Sequence, residues 1–327
     1  MVGRRRVRVA SLATVQVAIL FVLSILAPVG MFFVGPLVFG VAHLAADARY
    51  LVLRQRLPRA FVVLSATSAS VIVGVRSLQM LGVVHASADA WEAAAGGLWM
   101  LSALAFAVRD RRTALRGLAI VPPIAAAVAL ALRHPHTANI AMMHVHNVIG
   151  VLTWLFVYPR KRAWELAPVI AIAAAVAFLA SGTAAMWTYR AGGDVAFDTR
   201  LHDIGLWLAP GYGPRAAASV VIAFVFLQAV HYAIWLAWIP QEDLKGEGTP
   251  TFRMTARGLL ADFGVAGCVL VAAVMMGLAG LAVFRIGAAL NWYLTLSRFH
   301  GLLELAVIAL LIVRGRGLTM RKAPSDS

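Results

Sequence analysis

The sequence predicts an all-α, polytopic transmembrane bundle of about ten helices with both termini cytoplasmic. Three observations carry that expectation. Of the 327 residues, 61% are apolar and only 13% are charged, against roughly 45–50% and about 25% in a soluble domain. Apolar runs long enough to cross a bilayer, about 20 residues each, recur along nearly the whole chain. The basic residues sit in small groups at the ends of those runs.

The spans follow in order. They run from Val9 to Ala27, Met31 to Leu53, Ala60 to Val84, Ala90 to Val108, Ala114 to Leu132, Thr137 to Tyr158, Leu166 to Tyr189, Ala216 to Trp238, Leu259 to Phe284 and Asn291 to Val313. With the N-terminus inside, the inner segments carry 21 Lys and Arg and the outer segments 5, a strong positive-inside bias. The net charge of +15 therefore reports topology, and no nucleic-acid partner is expected. The multi-pass chain is expected in a bacterial inner (cytoplasmic) membrane. The first run lacks a small-x-small cleavage site and reads as a retained helix rather than a signal peptide.

No polar stretch is long enough to fold alone, so residues 1–327 read as one transmembrane domain. It has basic cytoplasmic tails (1–8 and 314–327), an outer loop (190–214) suited to a short surface helix or a lid, and an inner loop (240–257). Within the inner loop, Gln241 to Gly248 reads as a solvated linker. The single cysteine, Cys268, excludes a disulfide framework and a cysteine metal cluster.

Ionisable groups at membrane depth cost about 2.5–3.5 kcal/mol each on insertion scales, so they face a bundle interior and mark function. The second span holds His43 and Asp47 and the tenth holds His300 and Glu304, each a histidine with a carboxylate one helical turn later and on the same face. Such a carboxylate either ligates a metal or accepts the histidine's second N–H. The sixth span adds His144, His146 and Asn147, and the eighth adds Gln228 and His231. These four spans share one direction, and at 1.5 Å per residue their histidines fall in a slab roughly 12 Å thick. Imidazole with carboxylate suits iron first, and zinc or manganese as alternatives. The metal ligands expected are His43, His231, His300, one of His144 and His146, and the carboxylates Asp47 and Glu304. Asp47 and Glu304 are also the expected catalytic residues, and they either support the histidines or, if the centre is dinuclear, bridge its two ions.

Other polar groups carry alternatives. The same residues suit a proton relay without metal. Arg76 and Arg298 need partners at membrane depth, either acids or a substrate, and Arg49 is expected to snorkel to the inner face. At the outer face His85, Asp89, Glu92, His134, His136, His202 and Asp203 form a second polar group, either a metal entrance or solvated loop residues.

Phe39-Gly40-Val41-Ala42-His43-Leu44-Ala45-Ala46-Asp47 resembles the first histidine motif of the bacterial Brp/Blh β-carotene 15,15′-dioxygenases, with Ala42 in place of a proline and Leu44 in place of a glycine. Gln228-Ala229-Val230-His231-Tyr232 and Arg298 to Glu304 resemble that family's later histidine regions, although Trp235 stands where a second histidine is usual. The second family histidine corresponds to His144 or His146, or to His85 with Asp89. The resemblance covers about a fifth of the chain. It implies a membrane-embedded iron enzyme that uses O₂ on a hydrophobic small molecule such as a carotenoid. A transporter of protons or metal ions along the same His, Asp and Glu chain is the alternative.

Overall fold

The computed structural model describes residues 3–55, 57–84, 88–158, 160, 162–244, 249 and 251–315. Among these, nine helical stretches are long and apolar enough to cross a membrane, and the chain is an all-α, multi-pass integral membrane protein. The ninth stretch runs from Phe252 to Arg314, and at about 1.5 Å per residue its length suits two crossings. Its backbone leaves the helical region at Gly264 and Arg285, and the Arg285 break separates the expected ninth and tenth spans. His85, Arg56, Lys161, Lys245 and the tail from Arg316 lie outside the described residues.

The chain forms two compact units, residues 1–43 with 150–290 and residues 44–149 with 291–327. In the first unit, α1 (Arg4–Leu26) packs on α11 (Pro214–Ala233) and α8 (Ala167–Ala180), and α11 also meets α2 (Pro28–Gly35), α9 (Thr183–Ala191) and α10 (Leu201–Leu208). Neighbours on every side demand a helix apolar all round. Accordingly α11 buries Val221, Ile222, Phe224, Val225, Phe226 and Val230 on different faces.

The expected span Leu166 to Tyr189 is two helices instead. Gly182 takes φ 81°, a left-handed conformation that costs glycine nothing and ends a helix, so the crossing closes at Ala180 and α9 starts anew at Thr183. The outer loop does contain a short helix, α10, preceded by a hairpin of β1 (Val195–Ala196) and β2 (Thr199–Arg200). Its two turn residues, Phe197 and Asp198, both have positive φ, as a two-residue type I′ connection requires. Phe197 is held by an edge-on contact with Phe33, ring centroids 5.6 Å apart.

In the second unit, α5 (Ala88–Ala107) lies among α4 (Arg59–Met80), α6 (Arg111–Arg133) and α14 (His300–Arg314). Two adjacent glycines permit this. A Cβ on Gly96 would stand 2.7 Å from Leu302 Cδ2, and one on Gly97 2.5 Å from Val128 Cγ2, so α5 meets a neighbour closely on each side, as small residues allow in membranes. Buried Trp99 ties α5 to α4 by donating Nε1–H to Ser65 Oγ at 3.2 Å.

Three helices run from one unit into the other: α3 (Val41–Asp47), α7 (Pro135–Val157) and α13 (Phe252–Ser297). The middle of α13 bears Val265, Val269, Met276, Val283 and Phe284 at 60–85% exposure, a surface that suits lipid and would be a liability in water.

Candidate metal centre

The second span is not one regular helix. Between α2 and α3 the chain widens into a π-helical segment over Pro36–Gly40, and after α3 into another over Ala48–Leu53. A third, Ile234–Trp238, follows α11. Proline lacks the donor for an α-helical bond and clashes with the carbonyl four residues back. Pro36 opens the first segment and Pro240 follows the third, so at two of the three sites the wider turn accommodates a proline. Such bulges recur at functional sites, and here they flank His43, Asp47 and His231.

In the first unit, His43 and His231 meet. Both are fully buried, their Nε2 atoms are 3.1 Å apart, and the rings stand edge to face with centroids 4.6 Å apart. Tyr232 and Trp235 wall the pair, at ring distances from His43 of 5.4 and 6.1 Å. The histidine of α11 reaches this place because α7 offers it a bare backbone. A Cβ on Gly150 would lie 2.3 Å from His231 Nδ1, so no larger residue fits there without moving the ring.

The Nε2 to Nε2 separation has a chemical meaning. Two imidazoles bound at 2.0–2.1 Å to one metal with nitrogens 3.1 Å apart subtend about 98° at the ion, within the range of octahedral and tetrahedral ligation. The same separation also fits a single N–H···N hydrogen bond.

α3 is regular over His43 and Asp47, so the two stand one helical turn apart along it. In the second unit Asp47 faces Glu304 of α14. Both are fully buried, and their nearest oxygens are within 4.8 Å. At that distance two full negative charges repel by about 3 kcal/mol or more at an effective dielectric of 20, so the pair calls for a shared proton or a cation.

The second unit also joins His146 and His300, ring centroids 4.8 Å apart. His146 Nδ1–H donates to the Met142 carbonyl at 3.2 Å and His300 Nδ1–H to the Ser297 carbonyl. Each bond sets the tautomer that leaves Nε2 with its lone pair, as in metal-ligating histidines. His144 is half-buried and lies about 200° round α7 from His146, so of the two it is His146 that shares a position with His300.

The intramembrane arginines resolve differently. Arg49 is 9% exposed, with its guanidinium 5.3 Å from the Tyr50 ring centroid, an aromatic face that attracts a cation. Arg76 Nε donates to Glu92 at 2.7 Å, and Arg76 also pairs with Asp89. Arg298 Nε lies 3.7 Å from Glu92, and its Nη1 donates to Asn139. Two acids of the outer polar group therefore balance buried Arg76 and half-buried Arg298, a charge-neutral clamp. His134, His136, His202 and Asp203 are exposed. Glu242, expected in a solvated linker, is instead buried against Arg160; Lys245 to Gly248 lie outside the described residues.

Sequence reading missed the π segments, for which Pro36 and Pro240 were the available signal; Gly150, read as a small residue for close helix packing or ligand room, stands against the His231 ring. Comparison of the chain with protein-family models, with curated proteins and with solved structures finds no match.

Proposed function

We propose that the chain is an intramembrane metal-dependent enzyme, an oxygenase-like protein using iron and O₂ on a lipid-soluble substrate of the carotenoid kind. One observation carries the reading: within the first unit two fully buried histidines present Nε2 to Nε2 at 3.1 Å. His43 and His231 supply nitrogen ligands, and Asp47 and Glu304, each four residues after a histidine in the sequence, are proposed to supply the negative charge that a divalent ion needs in an apolar interior. His300, with its tautomer set by Ser297, is proposed as a further ligand on the spacing it shares with His43, each four residues before a carboxylate, and His146 packs beside it. Iron bound there would supply open positions where O₂ and substrate meet. The chain's own residues hold the imidazoles in place, through the Gly150 backbone and the Ser297 and Met142 carbonyls, and the aromatic wall of Tyr232 and Trp235 excludes water. Zinc or manganese fits the same donors. The resemblance to the Brp/Blh enzymes supports the substrate class, and a bacterial inner membrane is the location it implies.

The test is elemental analysis of detergent-purified protein beside His43→Ala, His300→Ala and His134→Ala. The expected result is one or two tightly held iron ions, lost in the first two variants and kept in the third. Metal retained in both His43→Ala and His300→Ala would refute the assignment. A second reading, a proton or metal-ion transporter, draws on the same 3.1 Å contact, which also fits a hydrogen bond for proton passage between imidazoles. Ion flux in vesicles from protein that holds no metal would favour it.

A further inference from the structure

The basic end of the first unit holds a buried polar group that the metal centre does not use. Beyond α7, the Arg160 guanidinium stacks on Trp154, its Cζ 3.9 Å from the ring centroid. Its Nη1 donates to Glu242 Oε1 at 2.5 Å, and both side chains are 7% exposed. Trp154 is fully buried and packs on Trp238, ring centroids 4.9 Å apart. Trp238 in turn donates Nε1–H to Gln16 Oε1 at 2.5 Å.

Glu242 thus satisfies one corner of the guanidinium and Gln16 satisfies the neighbouring indole. The rest of the stack has no such answer. Arg160 Nε, Arg160 Nη2 and Trp154 Nε1 are three buried donors with no hydrogen-bond partner among the described residues. Leaving buried donors unpaired is costly, above all on a charged group. The Nε and Nη2 edge of arginine is the planar fork that grips two oxygens of one oxyanion, and the indole adds a third N–H beside it.

The surroundings favour an anion. Arg5 donates to the Glu242 main-chain carbonyl at 3.2 Å and to that of Leu244, and Arg8 Nε donates to Gln241 Oε1 at 3.3 Å, so the N-terminal arginines crowd the same end of the unit. Helix ends lie at headgroup depth, where basic pockets between transmembrane helices take phosphate-bearing headgroups. We propose that Arg160 and Trp154 form a binding site for a phosphate oxyanion, as borne by an anionic phospholipid headgroup or by free inorganic phosphate.

The test follows thermal unfolding of the full, delipidated chain in a neutral detergent against added phosphatidylglycerol, diacylglycerol or sodium phosphate. Phosphatidylglycerol, sodium phosphate or both should raise Tm saturably, and phosphate-free diacylglycerol should not. Arg160→Lys keeps the charge beside Glu242 but loses the fork, and should weaken half-saturation about tenfold. Trp154→Phe keeps the stack and loses one N–H, and should weaken it about threefold. Saturation by phosphatidylglycerol alone supports the site with lipid as the source, and saturation by sodium phosphate supports it with free phosphate. No response to either, an equal response to diacylglycerol, or unchanged half-saturation in the variants overturns the proposal. If Arg160→Lys does not fold, unchanged half-saturation in Trp154→Phe alone suffices to overturn it.

Discussion

Gly150→Ala tests how His231 is held. The new Cβ would stand 2.3 Å from Nδ1, 2.9 Å from Cε1 and 3.3 Å from Cγ of that ring, where ordinary contact begins at 3.4 Å. The ring must retreat by about an ångström, because a close-packed interior leaves it no slack. Such overpacking costs about 1–3 kcal/mol, while Ala for Gly inside a helix returns about 1 kcal/mol, so the net loss of stability should be about 0–2 kcal/mol. Metal binding should suffer more. A metal-to-nitrogen distance tolerates about 0.2 Å, and His231 Nε2 lies only 3.1 Å from its partner on His43, so affinity should fall roughly 10- to 100-fold, as when a ligand loses its orienting neighbour. Gly74→Ala is the control: nothing lies within 4 Å of its added Cβ, so it gains the helix propensity without the clash. Metal content after dialysis against chelators of graded strength, read beside Tm in detergent, measures both effects. Wild-type metal affinity and Tm in Gly150→Ala would refute the claim that the bare α7 backbone positions His231.

Further expectations concern the carboxylates, the arginine clamp and a helix cap. Asp47→Asn and Glu304→Gln should each weaken metal affinity about tenfold or more in the same chelator series, and full retention by both would remove the carboxylates from the centre. Arg76→Met removes the arginine that pairs Asp89 and Glu92 at 10% side-chain exposure and leaves Arg298 alone to face both acids, and should cost about 3 kcal/mol. Exposed Arg133→Ala should stay within about 0.5 kcal/mol, so equal Tm values for the two would show that the clamp contributes nothing. Asp110 caps α6 by accepting from the Thr113 amide at 2.8 Å, and that bond, followed by one from the Thr113 hydroxyl, holds its carboxyl below the ordinary 3.8. A depressed carboxyl stabilises above its unfolded pKa and loses that contribution as the pH falls through the folded value. Amide exchange at Thr113 should therefore be slow at pH 7 and faster in Asp110→Ala. Equal rates would exclude the cap.

The pairing within a single turn of helix was legible before any coordinates: His43 and Asp47 sit four apart, and α3 is regular across them. The joining of His43 to His231, 188 residues away, was legible only as a shared depth in the membrane, since counting along helices gives height but not the direction a side chain faces. The same limit left His144 and His146 open until His146 was found against His300. Sequence reading erred where a local rule met a tertiary partner. Glu242 was assigned to solvent by its polar neighbours, yet Arg160 claims it.

By itself, the sequence determined that the chain is helical and crosses the membrane many times, because a bilayer offers the backbone no partners and forces each span to satisfy its own bonds. Composition and charge then suffice to read the spans. Only the tertiary structure decided which buried groups meet, through a bare glycine on α7, two glycines on α5 and the wider turns around α3. Those contacts depend on the shape of facing side chains in a close-packed interior, and shape is not written in the pattern of apolar and polar residues.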